Sequence, residues 1–301
     1  MPLPQPTVTY RLSFENLKSL EQTIKHLKLR AYSDSTIRTY RGELMVFFQA
    51  LGEIPATNLT TEHIKRYLLK CLTEGLKENT LHSRINALKY FYEQMLGREK
   101  FFFDIPRPKK PLQLPNVLGE GEIARLFNAV TNKKHKAILF TAYSAGLRVS
   151  EVVNLKLKDI DSDRMQLFIE RAKGKKDRYV NLSLVLLDVL REYIRLCNPR
   201  PKIYLFEGQE PASACSSRTA QKIFQMARNY AGIKKDVTFH SLRHSFATHV
   251  LEKGVDIRYI KGILGHFNIK TTERYLHVKR EQLINITSPL DDIWKKGSIE
   301  W

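Results

Sequence analysis

Hydrophobic residues recur at intervals of three and four positions before residue 92, which is the spacing of one face of a helix. Four such stripes follow one another, separated by short polar or glycine-containing stretches. Their members are Leu17, Leu20, Ile24 and Leu27; Ile37, Tyr40, Leu44 and Phe47; Ile64, Tyr67 and Leu68; and Leu81, Ile85, Leu88 and Phe91. The predicted N-caps are Ser33 and Thr60, and the predicted helix stops are Gly52, Gly75 and Gly97. The pattern predicts a four-helix bundle over residues 1–104.

A proline-rich stretch at residues 105–116 interrupts this helical pattern. It contains four prolines, which cannot continue a helix and favour an extended chain. Arg107, Lys109 and Lys110 make the stretch basic. We expect a linker between two domains here. A strap that crosses a DNA backbone and a plain solvated linker both fit this composition.

The pattern after the linker is mixed. Helices are predicted near 119–131, 134–146, 183–196, 216–231, 240–253, 256–264 and 279–286. Alternating residues predict a β-hairpin, with strands at 164–170 and 178–182 and a turn at 172–177. The fold class is therefore mainly α with a small β-hairpin, or α+β. We expect a second domain at 117–287 and a tail at 288–301 that contains both tryptophans, Trp294 and Trp301.

The net charge of the chain bears on its binding partner. The 301 residues suggest about two domains, and the net charge is +19. Residues 1–115 contain 18 basic and 11 acidic side chains, or +7, which leaves +12 for the remainder. Basic surfaces of this kind displace counterions from nucleic acid. The alternative is a basic protein that has no such partner.

The polar faces of the predicted bundle are basic. They are expected to carry Arg38, Arg41, Lys65, Arg66, Lys70, Arg84 and Lys89. A major groove accepts a helix face of this kind, although such a face is also often simply solvated. We take Arg38, Arg41, Arg84 and Lys89, together with Arg107, Lys109, Lys110 and Lys175, as the candidate DNA-binding residues.

Targeting signals and cysteine chemistry are not evident. The first residues lack the charged and apolar regions of a signal peptide, and no apolar run approaches the length of a membrane span. Three cysteines, far apart and odd in number, indicate neither a disulfide framework nor a zinc site. We therefore expect a cytoplasmic, nucleoid-associated protein with no membrane partner.

Two short motifs combine arginine with groups that can orient it or bind phosphate. His240 and Arg243 lie three residues apart at the start of a predicted helix, where free N–H groups favour phosphate. Arg148 lies in a turn before Glu151, and Ser150 is the expected cap of the helix that follows. Two forked guanidiniums can bind the oxygens of a phosphodiester under attack. A capping histidine, a surface arginine and an ordinary Arg–Glu pair are the alternatives.

Three further residues supply proton transfer and a nucleophile. Lys173 lies in the hairpin turn, where a lysine beside a phosphate can protonate a leaving alkoxide; simple solvation is the alternative. His266 follows Gly265, which is expected to end the preceding helix. Tyr275 follows nine residues later. Its phenol has an ordinary pKa of about 10 and needs nearby positive charge and a base to act as a nucleophile.

Asp159, Asp161, Asp163 and Glu170 imitate a calcium loop, but Arg164 stands where that loop requires glycine. A turn before the hairpin is the preferred interpretation. No phosphate-binding loop of the nucleotide hydrolases occurs in the sequence either. No metal and no cofactor is expected.

The motif residues together resemble the tyrosine recombinase, or phage integrase, family. The motifs are Arg148, Lys173, His240-x-x-Arg243, Leu264-Gly-His266 and Tyr275. The resemblance spans nearly the whole chain and is closest to recombinases of the Xer, integron and transposon types. It implies a SAM-like helical DNA-binding domain followed by a catalytic domain, which together clamp double-stranded DNA at a specific site.

The resemblance also implies a role for each residue. Tyr275 would form a 3′-phosphotyrosine, and Arg148, Arg243 and His266 would hold the phosphorane. Lys173 would be the general acid, His240 a base or phosphate donor, and Glu151 a support for the site. Relatives act as tetramers that exchange C-terminal segments. We hypothesise that Trp294 docks on a neighbouring subunit; a free tail is the alternative.

Two other functions are compatible with parts of this pattern. A type IB topoisomerase uses the same chemistry to relax DNA without a chosen site. A catalytically silent DNA-binding factor would keep the fold alone. The residues do not distinguish dimer resolution, integration and inversion, and they give neither the target site nor an accessory protein.

Overall fold

The structure is a computed structural model that describes residues 12–98, 116–172, 176–265 and 272. The chain divides into two compact units, residues 1–112 and 113–301, each with a hydrophobic core of its own. The described part is mostly helical and contains one three-stranded antiparallel sheet. The predicted fold class is confirmed. The predicted domain boundaries stay a prediction.

The first unit is a helical bundle. Its elements are α1 at Phe14–Leu29, α2 at Asp34–Leu51, α3 at Thr61–Thr73, α4 at Glu78–Lys89, and a π-helical segment at Tyr90–Met95 that continues α4. The hydroxyls of Ser33 and Thr60 cap α2 and α3 as predicted. Gly52, at the end of α2, has a φ of 59°, a left-handed backbone that suits glycine.

The predicted hydrophobic stripes form the core of this bundle. Phe47, Phe48 and Phe91 are fully buried there. Leu17 is an exception, because 43% of its surface is exposed. The sequence also did not indicate the π-helical segment, in which the consecutive aromatic residues Tyr90, Phe91 and Tyr92 are all buried.

The second unit combines its three-stranded sheet with helices. The elements are α5 at Glu120–Asn128, α6 at Lys133–Ser144, α7 at Val149–Val153, β1 at Ile160–Asp161, β2 at Gln166–Ala172, β3 at Lys176–Asn181, α8 at Leu184–Leu196, α9 at Ser217–Tyr230, α10 at Phe239–Glu252 and α11 at Ile257–Leu264. The predicted helix at 279–286 lies outside the described residues. Strand β1 was not among the predicted elements, and α7 is the helix that was expected at Ser150.

The hairpin differs from its prediction in length. Ala172 still pairs with Lys176, so the turn is shorter than the predicted 172–177. Strand β2 starts late because the Asp161 carboxylate accepts hydrogen bonds from the N–H groups of Asp163 and Arg164 and holds a turn before it. The preferred interpretation of this acidic stretch, a turn before the hairpin, is therefore confirmed.

Helix α7 is capped differently from the expectation. Its N-cap is Arg148 and not Ser150. The Glu151 carboxylate accepts a hydrogen bond of 2.8 Å from the backbone N–H of Arg148, which is the bond that the third helical residue makes to the N-cap in a capping box. Arg148 is thereby fixed at the first turn of the helix.

Gly146 forms the sharp turn between α6 and α7. Its φ is 60°, and a Cβ atom added there would lie 2.4 Å from Cδ1 of Phe246 and 3.1 Å from Cδ2 of Leu264. The residue must therefore be small for two reasons, namely its backbone conformation and its close packing. The turn brings the start of α7 against α10 and the end of α11.

Candidate active site

Glu151 lies at the centre of the predicted site. Its side chain is 6% exposed. Oε1 accepts a hydrogen bond of 2.8 Å from a terminal nitrogen of Arg148, and Oε2 lies 3.7 Å from a terminal nitrogen of Arg243. The expectation that this carboxylate orients Arg148 is met, and it also faces the second predicted arginine.

The surroundings of Glu151 keep it charged. Burial alone would raise the pKa of its carboxyl group, but the hydrogen bonds and charge of Arg178, followed by those of Arg148, lower that pKa to about 2. The group is therefore a carboxylate throughout the neutral range. It offsets part of the positive charge of the arginines around it.

Arg243 is the most deeply buried of these arginines. It is 1% exposed. One terminal nitrogen donates to the carbonyl oxygen of Gly146 at 2.8 Å, and the other donates to the carbonyl oxygen of Leu264. The guanidinium therefore joins α10 to the α6–α7 turn and to the end of α11. A fixed guanidinium at this junction can stabilise charge that develops on a phosphate.

His240 lies at the start of α10, one turn before Arg243. Its ring packs edge-on against the ring of His244, with centroids 4.5 Å apart. Loss of water around the imidazole lowers its pKa, and the charges of Arg243 and Arg148 lower it further; Glu151 acts in the opposite direction. The neutral form, which can accept a proton, is therefore favoured near neutral pH.

Arg178 was not among the residues chosen from the sequence. It forms a fork on Glu151, with hydrogen bonds of 2.9 Å to Oε1 and 2.8 Å to Oε2. Its Nε also donates to the carbonyl oxygen of Ile263 at 2.8 Å. One signal could have identified it. Arg178 alternates with Val180 and Leu182 on the buried face of its strand, where a charge requires a buried partner.

The remaining predicted catalytic residues lie outside the described residues. These are Lys173, His266 and Tyr275. Lys175, Arg107, Lys109 and Lys110 of the candidate DNA-binding set lie outside them as well. The structure thus brings together Arg148, Glu151, His240 and Arg243.

The basic residues of the first unit divide into two groups. Arg38 and Arg41 are exposed on α2, and Lys89 is exposed at the end of α4. Arg84 is 7% exposed and donates from Nε to the Glu43 carboxylate at 2.8 Å. Its predicted place on the polar face is wrong. The residue lies three positions after Leu81 and therefore shares the inward stripe of α4.

The described residues offer no obvious metal site. No three histidine, cysteine, aspartate or glutamate side chains converge within that part of the chain. No described helix is both long enough and apolar enough to cross a lipid bilayer. The described side chains of the candidate site are arginines, a carboxylate and an imidazole.

Family models match both parts of the chain. Residues 116–282 match the phage integrase family, and residues 20–100 match the N-terminal SAM-like domain of phage integrases. A relative from Sinorhizobium fredii, whose name places it among integrases and recombinases, is 39% identical over 88% of this chain and 86% of its own length. Tyrosine recombinase XerA of Pyrococcus horikoshii is 34% identical over 89% of this chain and 92% of its own.

Solved structures share the fold. The XerH site-specific recombinase bound to its difH substrate after cleavage is 23% identical, with a TM-score of 0.71 over 94% of this chain and 88% of that one. A lambda integrase tetramer bound to a Holliday junction is 18% identical, with a TM-score of 0.71 over 86% of this chain and 76% of that one. At identities of 23% and 18%, these structures show that the fold is shared and nothing more.

Proposed function

Because this chain belongs to the phage integrase family, the tyrosine recombinases, we propose that it cuts DNA with Tyr275 and holds the reacting phosphate with Arg148 and Arg243. The protein is a site-specific DNA recombinase, an enzyme that cuts and rejoins DNA strands. One observation carries the residue assignment. Both guanidiniums approach the same buried carboxylate, that of Glu151.

The proposed reaction is a transfer of the phosphoryl group to the protein. The phenol oxygen of Tyr275 attacks phosphorus, the bond from phosphorus to the 5′ oxygen breaks, and a 3′-phosphotyrosine forms. Lys173 gives a proton to the departing 5′ oxygen, which leaves as a hydroxyl. Attack by a 5′-hydroxyl reverses the step and joins a strand, so the energy of the broken bond stays in the protein–DNA ester.

Arginine side chains can stabilise the negative charge that develops on the phosphate in this step. The phosphorane gains negative charge on its non-bridging oxygens, and a guanidinium stays protonated at every relevant pH. Arg148, Arg243 and His266 would hold these oxygens. Glu151 supports the proposal because it fixes Arg148 and lies beside Arg243.

His240 is proposed as the base that accepts the proton of Tyr275. The lowered pKa of its imidazole supports this role over that of a charged phosphate donor, because only the neutral ring can take up a proton. The loss of the phenol proton is then matched by the proton that Lys173 delivers to the 5′ oxygen.

The first domain is proposed to bind double-stranded DNA together with the second. We assign residues 1–104 to DNA binding, 105–116 to a basic linker, 117–287 to catalysis and 288–301 to a tail. The exposed cations Arg38, Arg41 and Lys89 would contact phosphates. A protein with these contacts would be found in the cytoplasm with the nucleoid.

Self-association is the second partnership that we propose. The active form would be a tetramer on two paired DNA sites, as the lambda integrase in the solved Holliday-junction complex is a tetramer. The tail 288–301, with Trp294, would dock on a neighbouring subunit.

Covalent trapping tests the nucleophile. Wild type and Tyr275→Phe are incubated with nicked duplex fragments from the neighbourhood of the gene, denatured, and analysed for DNA that stays attached. We expect an adduct at one short site with wild type and none with the variant. Tyr259→Phe is the matched control, since Tyr259 is an exposed tyrosine of α11.

The outcomes separate the candidate functions. An adduct that persists in Tyr275→Phe excludes Tyr275 as the nucleophile. Adducts at many unrelated sequences would indicate relaxation of the topoisomerase type. Intact DNA binding without any adduct would indicate a silent DNA-binding factor.

A further inference from the structure

We propose that Arg178 is a positioning residue of the recombinase site, which acts through Glu151 and the end of α11 and does not touch the DNA. The inference rests on the proposed function of Arg148, Lys173 and His266. It adds a residue that neither the sequence motifs nor the family match assigns.

The bonds of Arg178 carry the inference. All three of its nitrogens donate within the protein, two to the Glu151 carboxylate and one to the carbonyl oxygen of Ile263, at 2.8–2.9 Å. The side chain is 9% exposed and its acceptor Glu151 is 6% exposed. A parallel fork of this kind fixes direction as well as distance. The fork and the third bond together fix the guanidinium of Arg178 within the protein.

These bonds join three separate elements of the catalytic unit. Arg178 lies on β3, Glu151 on α7 and Ile263 on α11. Lys173 is five residues before Arg178 in the chain, and His266 is three residues after Ile263. Arg178 therefore ties the strand that follows Lys173 in the chain, and the helix that precedes His266, to the carboxylate that orients Arg148.

Gly265 provides an independent observation. A Cβ atom added to this residue would lie 3.2 Å from both Cδ and a terminal nitrogen of Arg178, and 3.3 Å from its Nε. The guanidinium thus packs directly on the glycine that ends α11. Gly265 also has a φ of 60°, which disfavours any other residue. The contact leaves little room for Arg178 to move.

Arg178 also sets the electrostatics of the site. The charged and titratable groups that face Glu151 are Arg148 from α7, Arg178 from β3, and Arg243 and His240 from α10. After burial, the largest influence on the pKa of Glu151 is the hydrogen bond and charge of Arg178, which lower it. In the absence of Arg178, fewer positive charges counteract the effect of burial, so the pKa of Glu151 rises.

The test compares Arg178→Gln and Arg178→Lys with wild type in single-turnover cleavage of the trapped site and in DNA binding. We expect cleavage to fall by about 100-fold in both variants, because small displacements of catalytic groups have effects of this size. Lysine is not expected to rescue the rate, since one ammonium cannot form the fork and the third bond together. DNA affinity should be unchanged. Arg164→Gln, a change at an exposed arginine before β2, is the matched control.

Two readouts separate positioning from a general loss of structure. The pH profile of urea unfolding should show its acid loss of stability at a higher pH in Arg178→Gln than in wild type, because Glu151 then accepts a proton more readily. The double variant Arg178→Gln with Glu151→Gln should lose less activity than the two single losses combined, because Arg178 acts in part through Glu151. Additive losses, or a pH profile identical to that of wild type, would overturn the inference.

A second variant covers a failure of Arg178→Gln to fold. Gly265→Ala keeps every charge but presses on the guanidinium, so it should slow cleavage without weakening DNA binding. Normal cleavage by a folded Gly265→Ala or Arg178→Lys protein would overturn the proposal. Failure of the proposed function is distinguishable, because wild type itself would then form no adduct.

Discussion

At the scale of single residues, the Glu151 carboxylate joins groups that are far apart in the chain. It receives hydrogen bonds from Arg148 beside it and from Arg178, 27 positions away. Arg243, from a third element, lies within 3.7 Å. Removal of a buried charge from such a cluster leaves its partners without compensation, and this effect is larger than the loss of one surface ion pair.

Glu151→Gln should therefore destabilise the catalytic unit by about 3 kcal/mol near neutral pH. The pKa of Glu151 is lowered to about 2 in the folded protein and lies at about 4.3 in an unfolded chain. Its contribution is therefore complete above about pH 5 and is lost as the pH falls toward 2. Urea unfolding of both proteins at several pH values measures this difference.

The control for Glu151→Gln is Glu192→Gln, which removes an exposed carboxylate paired with Lys133. This change should leave the free energy of unfolding unchanged. A stability difference between wild type and Glu151→Gln that does not shrink in acid would contradict the assigned charge state.

Gly146 provides a second prediction at this scale. Gly146→Ala should destabilise the protein by about 2 kcal/mol or more, because the new methyl group would meet Phe246 at 2.4 Å. Gly232→Ala is the matched control, since Gly232 has a similar φ of 65° and nothing within 4 Å of its Cβ position. Thermal unfolding of both variants separates packing from backbone strain. Equal losses would indicate strain alone.

At the scale of elements, the hydrophobic pattern predicted the helices of both units because each has an apolar stripe or a clear cap. Ser33 and Thr60 are examples of such caps. The pattern failed where a contact between distant elements decides the conformation. Ser150 looked like a cap, but the N-cap of α7 is Arg148, whose N–H donates to the Glu151 carboxylate. Arg178 looked like an ordinary strand residue, because its partner lies on another element.

Arg84 shows the same limit within a single helix. Its charge suggested the outer face, whereas its spacing from Leu81 and Ile85 placed it on the inner face, where Glu43 of α2 meets it. The pairing of two buried side chains on different helices could not be read from either helix alone. Spacing was the better guide at this position.

Arg84 and the exposed arginines of α2 should consequently respond differently to substitution. Arg38→Ala and Arg41→Ala should each weaken DNA binding and lower the slope of log affinity against log salt by about one. Arg84→Ala should reduce the stability of the first unit, because it leaves Glu43 buried without its partner. Its salt slope should equal that of wild type.

Salt titrations of DNA binding, combined with thermal unfolding, measure both effects for Arg38, Arg41 and Arg84. Lys133→Ala, at an exposed cation of the catalytic unit, serves as a control for a general change in charge. A reduced salt slope in a fully folded Arg84→Ala protein would show that Arg84 contacts DNA and contradict this prediction.

At the scale of the whole molecule, both units carry a net positive charge. Residues 1–115 carry +7 and the remainder +12. Charge on both units supports binding of DNA by both of them. Composition could indicate this partner but not its sequence, because phosphate contacts do not depend on the bases. Assembly cannot be derived from charge either, since net charge does not show which surfaces of two subunits meet.

Truncation after residue 287 is the prediction that belongs to this scale. If the tail 288–301 docks on a neighbouring subunit, the truncated protein should keep its thermal stability and bind a single copy of the trapped site with normal affinity. It should fail to pair two sites, because each subunit then lacks the segment that reaches its neighbour. Trp294→Ala should reproduce this loss, whereas Trp301→Ala, at the other tryptophan, should have a smaller effect.

Analytical ultracentrifugation with DNA of one or two sites measures the assembly, and the trapping reaction measures cleavage on each. Paired complexes formed by the truncated protein at wild-type concentrations would show that the tail does not hold the tetramer together. Loss of pairing with intact cleavage on single sites would place the tail in assembly, separate from the chemistry of Tyr275.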